Sequence, residues 1–176
     1  ANEGYENKQN WVSLENVSPL LIDSILMSED QRFFSHNGFD WEELAKMRGE
    51  YYKQDKPIRG CSTISQQVAK NCFTFGSRTW ARKAIEAYYT VLIETFWGKD
   101  RILEVYMNVA ETGRGLFGVE AACHRFFGIS ASEVGLDDAA ALACVLPKPL
   151  TRTPNSVLNT HTSKYRKIIR DVENKE

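Results

Sequence analysis

Four separated clusters of polar side chains have the residue types needed to move a group away from an anionic leaving group. The first is Glu29, Asp30, Gln31, Arg32, Phe33 and Phe34, with His36 and Gly38 downstream. The second is Gly60, Cys61, Ser62, Thr63, Ile64, Ser65, Gln66 and Gln67, continued by Lys70 and Asn71. Arg82 and Lys83 with Glu86 form the third, and Lys99, Ile102, Leu103, Glu104, Tyr106 and Asn108 the fourth. Together they offer paired acids, a stripe of amides and hydroxyls, and a set of fixed cations.

Glu29 follows Ile22, Ile25 and Leu26 at helical spacing, which places its carboxylate at the inner end of an apolar stripe. A lone helix-end Glu also fits that position by fraying into solvent. Asp30 beside it, and Phe33, Phe34 and His36 beyond, favour a functional role. For His36 a hydrogen bond within the loop serves as well as a catalytic one.

Thr63, Gln66, Gln67 and Lys70 recur at i, i+3, i+4 and i+7, opposite Ile64 and Val68. Adjacent glutamines and two hydroxyls suit sugar hydroxyls and a diphosphate, and a helix starting near Ser62 adds unpaired amides for an anion. Arg78, Arg82 and Glu86 share a face by spacing of four, with Lys83 at its edge. The plainer reading of that face is a surface ion pair, worth a few tenths of a kcal/mol. In the fourth cluster Glu104 and Asn108 share a face, while Ile102, Leu103 and Tyr106 read as packing; a structural role leads there, with Lys99 still in reach of a phosphate.

The elements that must position these groups are helical almost throughout. Ser18-Pro19 reads as an N-cap and first turn, and Asp40-Trp41-Glu42-Glu43 as a capping box opening a second helix through Tyr51. A helix begins near Ser62. A longer one runs from about Thr79 to Trp97, ends at a left-handed Gly98, and after Glu86 is apolar nearly all round, as a central buried helix would be. Asp100 caps the next helix. Gly113, Gly115 and Gly118 mark a loop, Gly128 closes the helix carrying Val119 and Phe126, and an alanine-rich helix runs from Asp137 to Leu146. Tyr165, Ile168, Ile169 and Val172 form the buried stripe of a last helix. No segment alternates with period two, so the fold is expected to be all-α.

At 176 residues, 43% apolar and 26% charged, the chain is expected to be one globular domain over residues 1–176, with a core at about 11–154 and a C-terminal helix at about 160–173. A net charge of −1 argues against nucleic acid as a partner. No apolar run approaches a membrane span and no signal-peptide pattern occurs, so a chain opening on Ala1 reads as a processed or trimmed ectodomain. Cys72, Cys123 and Cys144 sit in apolar helical patterns and read as buried free thiols, although an oxidising compartment leaves disulfides open for these and Cys61. His36, His124 and His161 lack ligand spacing to any cysteine, so zinc ligation is not expected and no metal ligands are assigned.

The order and spacing of the four clusters, from about Trp11 to about Pro154, resemble the peptidoglycan glycosyltransferases (glycosyltransferase family 51), most nearly the monofunctional biosynthetic transglycosylases. The family pattern usually has Gly where Cys61 stands. The resemblance implies a lysozyme-like helical domain with a catalytic cleft and a small membrane-proximal lobe. It also implies polymerisation of lipid II into β-1,4-linked glycan strands by inverting transfer, with release of undecaprenyl diphosphate, and sensitivity to moenomycin. Glu29 would be the general base on the acceptor's 4-hydroxyl and Glu86 the second acid, either assisting the leaving group directly or positioning a cation or metal beside it, with Asp30 and His36 in support. Ser62, Thr63, Gln66, Gln67, Lys70, Asn71, Arg78, Arg82 and Lys83 would bind substrate.

No cofactor is required by the resemblance, and a divalent cation such as magnesium is compatible with it. Implied partners are lipid II, the growing strand, other cell-wall synthesis proteins, and a membrane reached through an anchor absent from this chain and an apolar lobe. The place of action would be the outer, periplasmic face of the bacterial cytoplasmic membrane. Residues 41–58 are the best membrane-facing candidate, by their mix of Trp41, Leu44, Met47, Tyr51 and Tyr52 with lysines and arginine. A lytic enzyme of the same fold would also use one buried Glu, but a neutral glycan leaving group gives the cations no purpose. A non-catalytic scaffold is argued against by Glu29, Glu86, Gln66, Gln67 and Lys70 standing together. No Ser-x-x-Lys motif of a transpeptidase occurs.

Overall fold

The computed structural model describes residues 10–54, 62–74 and 79–175, and of residues 51–54 the backbone alone. In chain order the helices are α1 (Pro19–Glu29), α2 (Trp41–Gln54), α3 (Ile64–Phe73), α4 (Trp80–Phe96) and α5 (Lys99–Val109). After a short hairpin, β1 (Glu111–Gly113) and β2 (Leu116–Phe117), come α6 (Val119–Phe126), α7 (Leu136–Val145), α8 (Pro154–Thr160) and α9 (Ser163–Glu173). The helical fold class expected from periodicity is therefore observed. The hairpin corrects the expectation of a plain loop at Gly113–Gly118. Its antiparallel register is irregular between Glu111 and Gly113, and Gly115 has a φ of 68°. Two pairs of residues are too short to show period-two alternation.

The chain divides into two compact units, one of Ala1–Gln31 with Leu103–Glu176 and the other Arg32–Ile102. The first is organised on α7, whose residues Ala139 to Val145 are all buried. Four alanines in that run leave room for close approach, and α1, α8 and α9 all pack against it. Leu21 and Ile25 of α1 are wholly buried, each side chain contributing about 1.5–3 kcal/mol relative to exposure. Ser18 stands at the N-cap of α1, but its hydroxyl donates to Val134 O at 2.8 Å and makes no cap bond. Pro19 at the first position tolerates this, because one unpaired amide is already absent. Asn108 clamps the chain ahead of α1, donating to Val12 O and accepting from Val12 N, both at 2.8 Å, and is fully buried. That bears out the structural reading of the fourth cluster.

In the second unit α3 packs along α4. Ile64, Val68 and Ala69 are buried, and the Phe73 ring stacks on Tyr89 with centroids 4.5 Å apart. Asp40 caps α2 through Oδ1, which accepts from Glu43 N at 2.9 Å, as the sequence predicts. Three local expectations are corrected. Gly98 is not left-handed, since α4 ends at an extended Trp97 whose amide still reaches Ile93 O at 2.8 Å. The Gly98 carbonyl, not Asp100, opens α5, accepting from Ile102 N at 3.1 Å. Finally, α4 is not buried all round after Glu86: Tyr88 is 61% exposed and Phe96 78%, with Val91 also exposed, and ahead of Glu86 Trp80 is 92% exposed. Its packed side carries Glu86, Thr90 and Ile93.

Candidate active site

Glu29 is the last residue of α1, and its side chain is 9% exposed. Its Oε1 lies 2.8 Å from Ser28 Oγ and 3.6 Å from Lys164 Nζ of α9. Asp30, buried, caps α1 through its amide, which donates to Leu26 O at 2.9 Å. The buried Tyr106 phenol of α5 is pushed well above its ordinary range, first by burial and then by the charges of Glu29 and Asp30. Glu29 is thus held at a helix end among fixed neighbours, as its offset from Ile22, Ile25 and Leu26 predicts.

Arg32 to Ile102 holds the other predicted groups. His36 is buried, its Nδ1 accepts from Gly38 N at 3.2 Å, and its ring meets Phe33 edge-on. The hydrogen bond within the loop therefore exists. Thr63 Oγ1 donates to Gly38 O at 2.7 Å and accepts from Gln66 N at 3.2 Å, while Gln66 Oε1 accepts from Thr63 N at 3.1 Å. This capping box satisfies two of the amides that the N-terminus of α3 would otherwise present to an anion. Gln67 Nε2 donates to Ser62 O at 3.4 Å, and Ser62, Lys70 and Asn71 lie on the exposed side. Arg78 lies outside the described residues.

Glu86 is 3% exposed and sits between two cations of its own helix. Lys83 Nζ is 3.1 Å from Oε2 and Arg82 Nε 3.2 Å from Oε1. The Arg82–Glu86 pair of the plainer reading is present, but its carboxylate is buried and not at an open surface. The carboxylate arranges cations, so a group with two charged neighbours at this range is poorly suited to seat a divalent ion as well. Lys99 pairs with Glu94 Oε1 at 2.7 Å and lies over the Phe33 ring, 4.4 Å from its centroid. Ser65 Oγ donates to the same Glu94 oxygen. Lys99 is therefore committed to a structural bridge.

The transglycosylase family model matches residues 1–173. Among relatives, the biosynthetic peptidoglycan transglycosylase of Haemophilus influenzae is 45% identical over 170 residues, which is 97% of this chain and 69% of that protein. Proteins of the same name from Xanthomonas campestris pv. campestris and Caulobacter vibrioides are 45% and 48% identical over 163 and 148 residues. This chain belongs to the transglycosylase family. It spans 66% of the Xanthomonas protein and 64% of the Caulobacter one, and 91% and 84% of this chain are matched. The resemblance drawn from the four clusters is borne out, and with it the peptidoglycan glycosyltransferase class of the enzyme.

Three groups of the transglycosylase escaped the reading of its sequence. Ser28 and Lys164 share one oxygen of Glu29 yet stand 136 positions apart in the chain. Glu94, which gathers Ser65 and Lys99, looks in sequence like a charge on an apolar helix. That anomaly, a lone carboxylate after Glu86 in the most apolar stretch of α4, was the available signal.

Proposed function

We propose that this transglycosylase polymerises lipid II into β-1,4-linked glycan strands by inverting transfer, with the growing strand as donor and lipid II as acceptor. Glu29 removes the proton of the acceptor's 4-hydroxyl as its oxygen attacks the donor's anomeric carbon. The bond to the diphosphate breaks on the opposite face, and undecaprenyl diphosphate leaves with the electron pair. Lys70, Arg78, Arg82 and Lys83 offset that charge, and Glu86 holds Arg82 and Lys83 in place. Ser62, Gln66, Gln67 and Asn71 line the donor's sugar and phosphate, Thr63 acts through its cap, and Asp30 and His36 support the loop beyond Glu29.

The observation that carries this reading is the convergence of Arg82 and Lys83 on a nearly buried Glu86, in a chain of this family. A lytic enzyme releasing a neutral strand has no use for it. The reading requires no cofactor.

The place of work is the outer face of the bacterial cytoplasmic membrane. Among the described residues no helix is long and apolar enough to cross a membrane. Surface contact is supported by one face of α4, where Trp80, Ala84, Tyr88 and Val91 recur at helical spacing without a carboxylate. Aromatic and aliphatic side chains of this kind suit a bilayer interface. Trp41 and Leu44 of α2 are also exposed. The deciding experiment is incubation with labelled lipid II, read as polymer on a gel, beside purified sacculi read for soluble muropeptides. Polymer without muropeptides is the expected result; muropeptides with lipid II untouched would overturn the reading.

A further inference from the structure

Ser28 Oγ lies 2.8 Å from Glu29 Oε1 and 2.8 Å from Ala143 O of α7. A hydroxyl has one hydrogen and cannot donate to both at once. Nor is Ala143 O an idle competitor. Its helical donor would be the amide of residue 147, which is Pro147 and has none. The Glu29 carboxylate therefore shares the Ser28 hydroxyl with a main-chain oxygen that has no helical donor.

A second group faces the same oxygen. Lys164 Nζ is 3.6 Å from Glu29 Oε1, with the Glu29 side chain largely shielded from solvent. Lys164 stands in the first turn of α9, the end of a helix that disfavours a cation, and that turn has no acidic residue. Its helix is firmly placed all the same. Thr162 Oγ1 accepts from Tyr165 N at 3.2 Å, Tyr165 Oη donates to Asp137 at 2.6 Å, and Ile168 and Val172 are buried. The ammonium is thus carried to Glu29 on a fixed element.

We propose that Lys164 is a positioning residue for Glu29, orienting Oε1 for proton abstraction, with Ser28 as the weaker second holder. This rests on the reading of Glu29 as the general base. Among the described residues, ionisable groups near Glu29 include Asp30 beside it, the Tyr106 phenol from α5, and the Cys144 thiol from α7. Cys144 is itself pushed up by burial and eased by Lys164 and Arg152. Asp30 opposes the charge on Glu29, and Lys164, 3.6 Å from Oε1, brings a favourable one. It does so from α9, outside all four sequence clusters.

The test is the pH profile of kcat/KM for lipid II polymerisation, which reports groups of the free enzyme. Lys164→Met keeps the methylene stem and removes the charge; Lys164→Arg restores the charge. With Met, the acidic limb should move up while the alkaline plateau persists, and Arg should return the limb towards the parent. Ser28→Ala should move it the same way by less. A profile lowered uniformly, with its limb in place, would show that Lys164 only packs α9 and would overturn the proposal. Glu29→Gln, run alongside, separates the two failures: an active Gln variant sinks the base assignment, whereas an inactive one with an unmoved Lys164→Met limb sinks the positioning role alone. Should Lys164→Met not fold by circular dichroism, the limb of Ser28→Ala decides in the same manner.

Discussion

The Lys83 ammonium lies 3.1 Å from Oε2 of Glu86, a carboxylate that also meets Arg82 through its other oxygen. Lys83 is half exposed whereas Glu86 is not, so the buried acid orients cations whose outer surface is open to a ligand. Glu86→Gln should therefore lose most polymerase activity while the melting temperature changes little, because an amide of the same shape fills the space. A Gln variant with near-parent turnover would reduce Glu86 to a structural ion pair.

Removal of a cation should act on the leaving group's binding. Arg82→Ala and Lys70→Ala should each weaken a diphosphate-bearing donor, or a phosphoglycolipid such as moenomycin, by roughly 10- to 100-fold, the scale of one charge-assisted hydrogen bond. Titration calorimetry with the inhibitor reads this directly. Equal affinity in both variants would place the diphosphate elsewhere.

Thr63 should matter through stability first. Its hydroxyl joins the Gly38 carbonyl to the cap of α3, and Gly38 itself has a φ of 86°. A Cβ at Gly38 would stand 2.7 Å from Thr90 Cγ2. Thr63→Val should cost about 1–3 kcal/mol in urea unfolding, Thr63→Ser much less, and Gly38→Ala about as much as Val. If Thr63→Val unfolded like the parent while its activity vanished, the hydroxyl would belong to substrate and not to the cap.

The parts of this fold that were legible in sequence are those written in local spacing. Glu29 at the end of the stripe of Ile22, Ile25 and Leu26, Asp40 before Trp41, and Gly128 after Phe126 each declare themselves within a few residues, and Gly128 does take a φ of 76°. What local spacing cannot carry is the partner. Ser18 looks like a cap until Val134 is brought beside it, and Ser28 looks like filler until Ala143 and Glu29 flank it. The second half of α4 misled for a related reason. An apolar surface on every side fits a core helix and an interfacial one equally, and hydrophobicity does not say which solvent it meets.

Tyr165 gives a pH dependence whose sign can be worked out. Burial and the Asp137 carboxylate push its phenol up to about 12. The folded state therefore holds this proton more tightly than the unfolded chain, where a phenol titrates near 10. The resulting stabilisation is whole below about pH 10 and is lost as pH rises towards about 12. Urea midpoints should fall over that interval in the parent and fall less in Tyr165→Phe, which starts lower for want of the bond to Asp137. Parallel decline in the two proteins would assign alkaline loss to other groups.

The exposed face of α4 should set how the enzyme meets lipid. Trp80 and Tyr88 stand two helical turns apart on that face, with Val91 one turn further and Glu86 turned away from it. A charge introduced midway should oppose entry into a bilayer interface without entering the packed side. Tyr88→Glu and Val91→Glu should therefore lower sedimentation with phosphatidylglycerol vesicles several-fold, by the cost of drawing a carboxylate into the interface. Trp41→Glu on α2 supplies the competing case from the sequence. Loss of vesicle binding in Trp41→Glu alone would return the membrane contact to residues 41–58. Loss in the α4 variants alone would place it on the helix that also carries Arg82, Lys83 and Glu86. Then the leaving diphosphate and the bilayer that receives its lipid would be served by two faces of one helix, and a change in the tilt of α4 at the membrane would be felt at the cations.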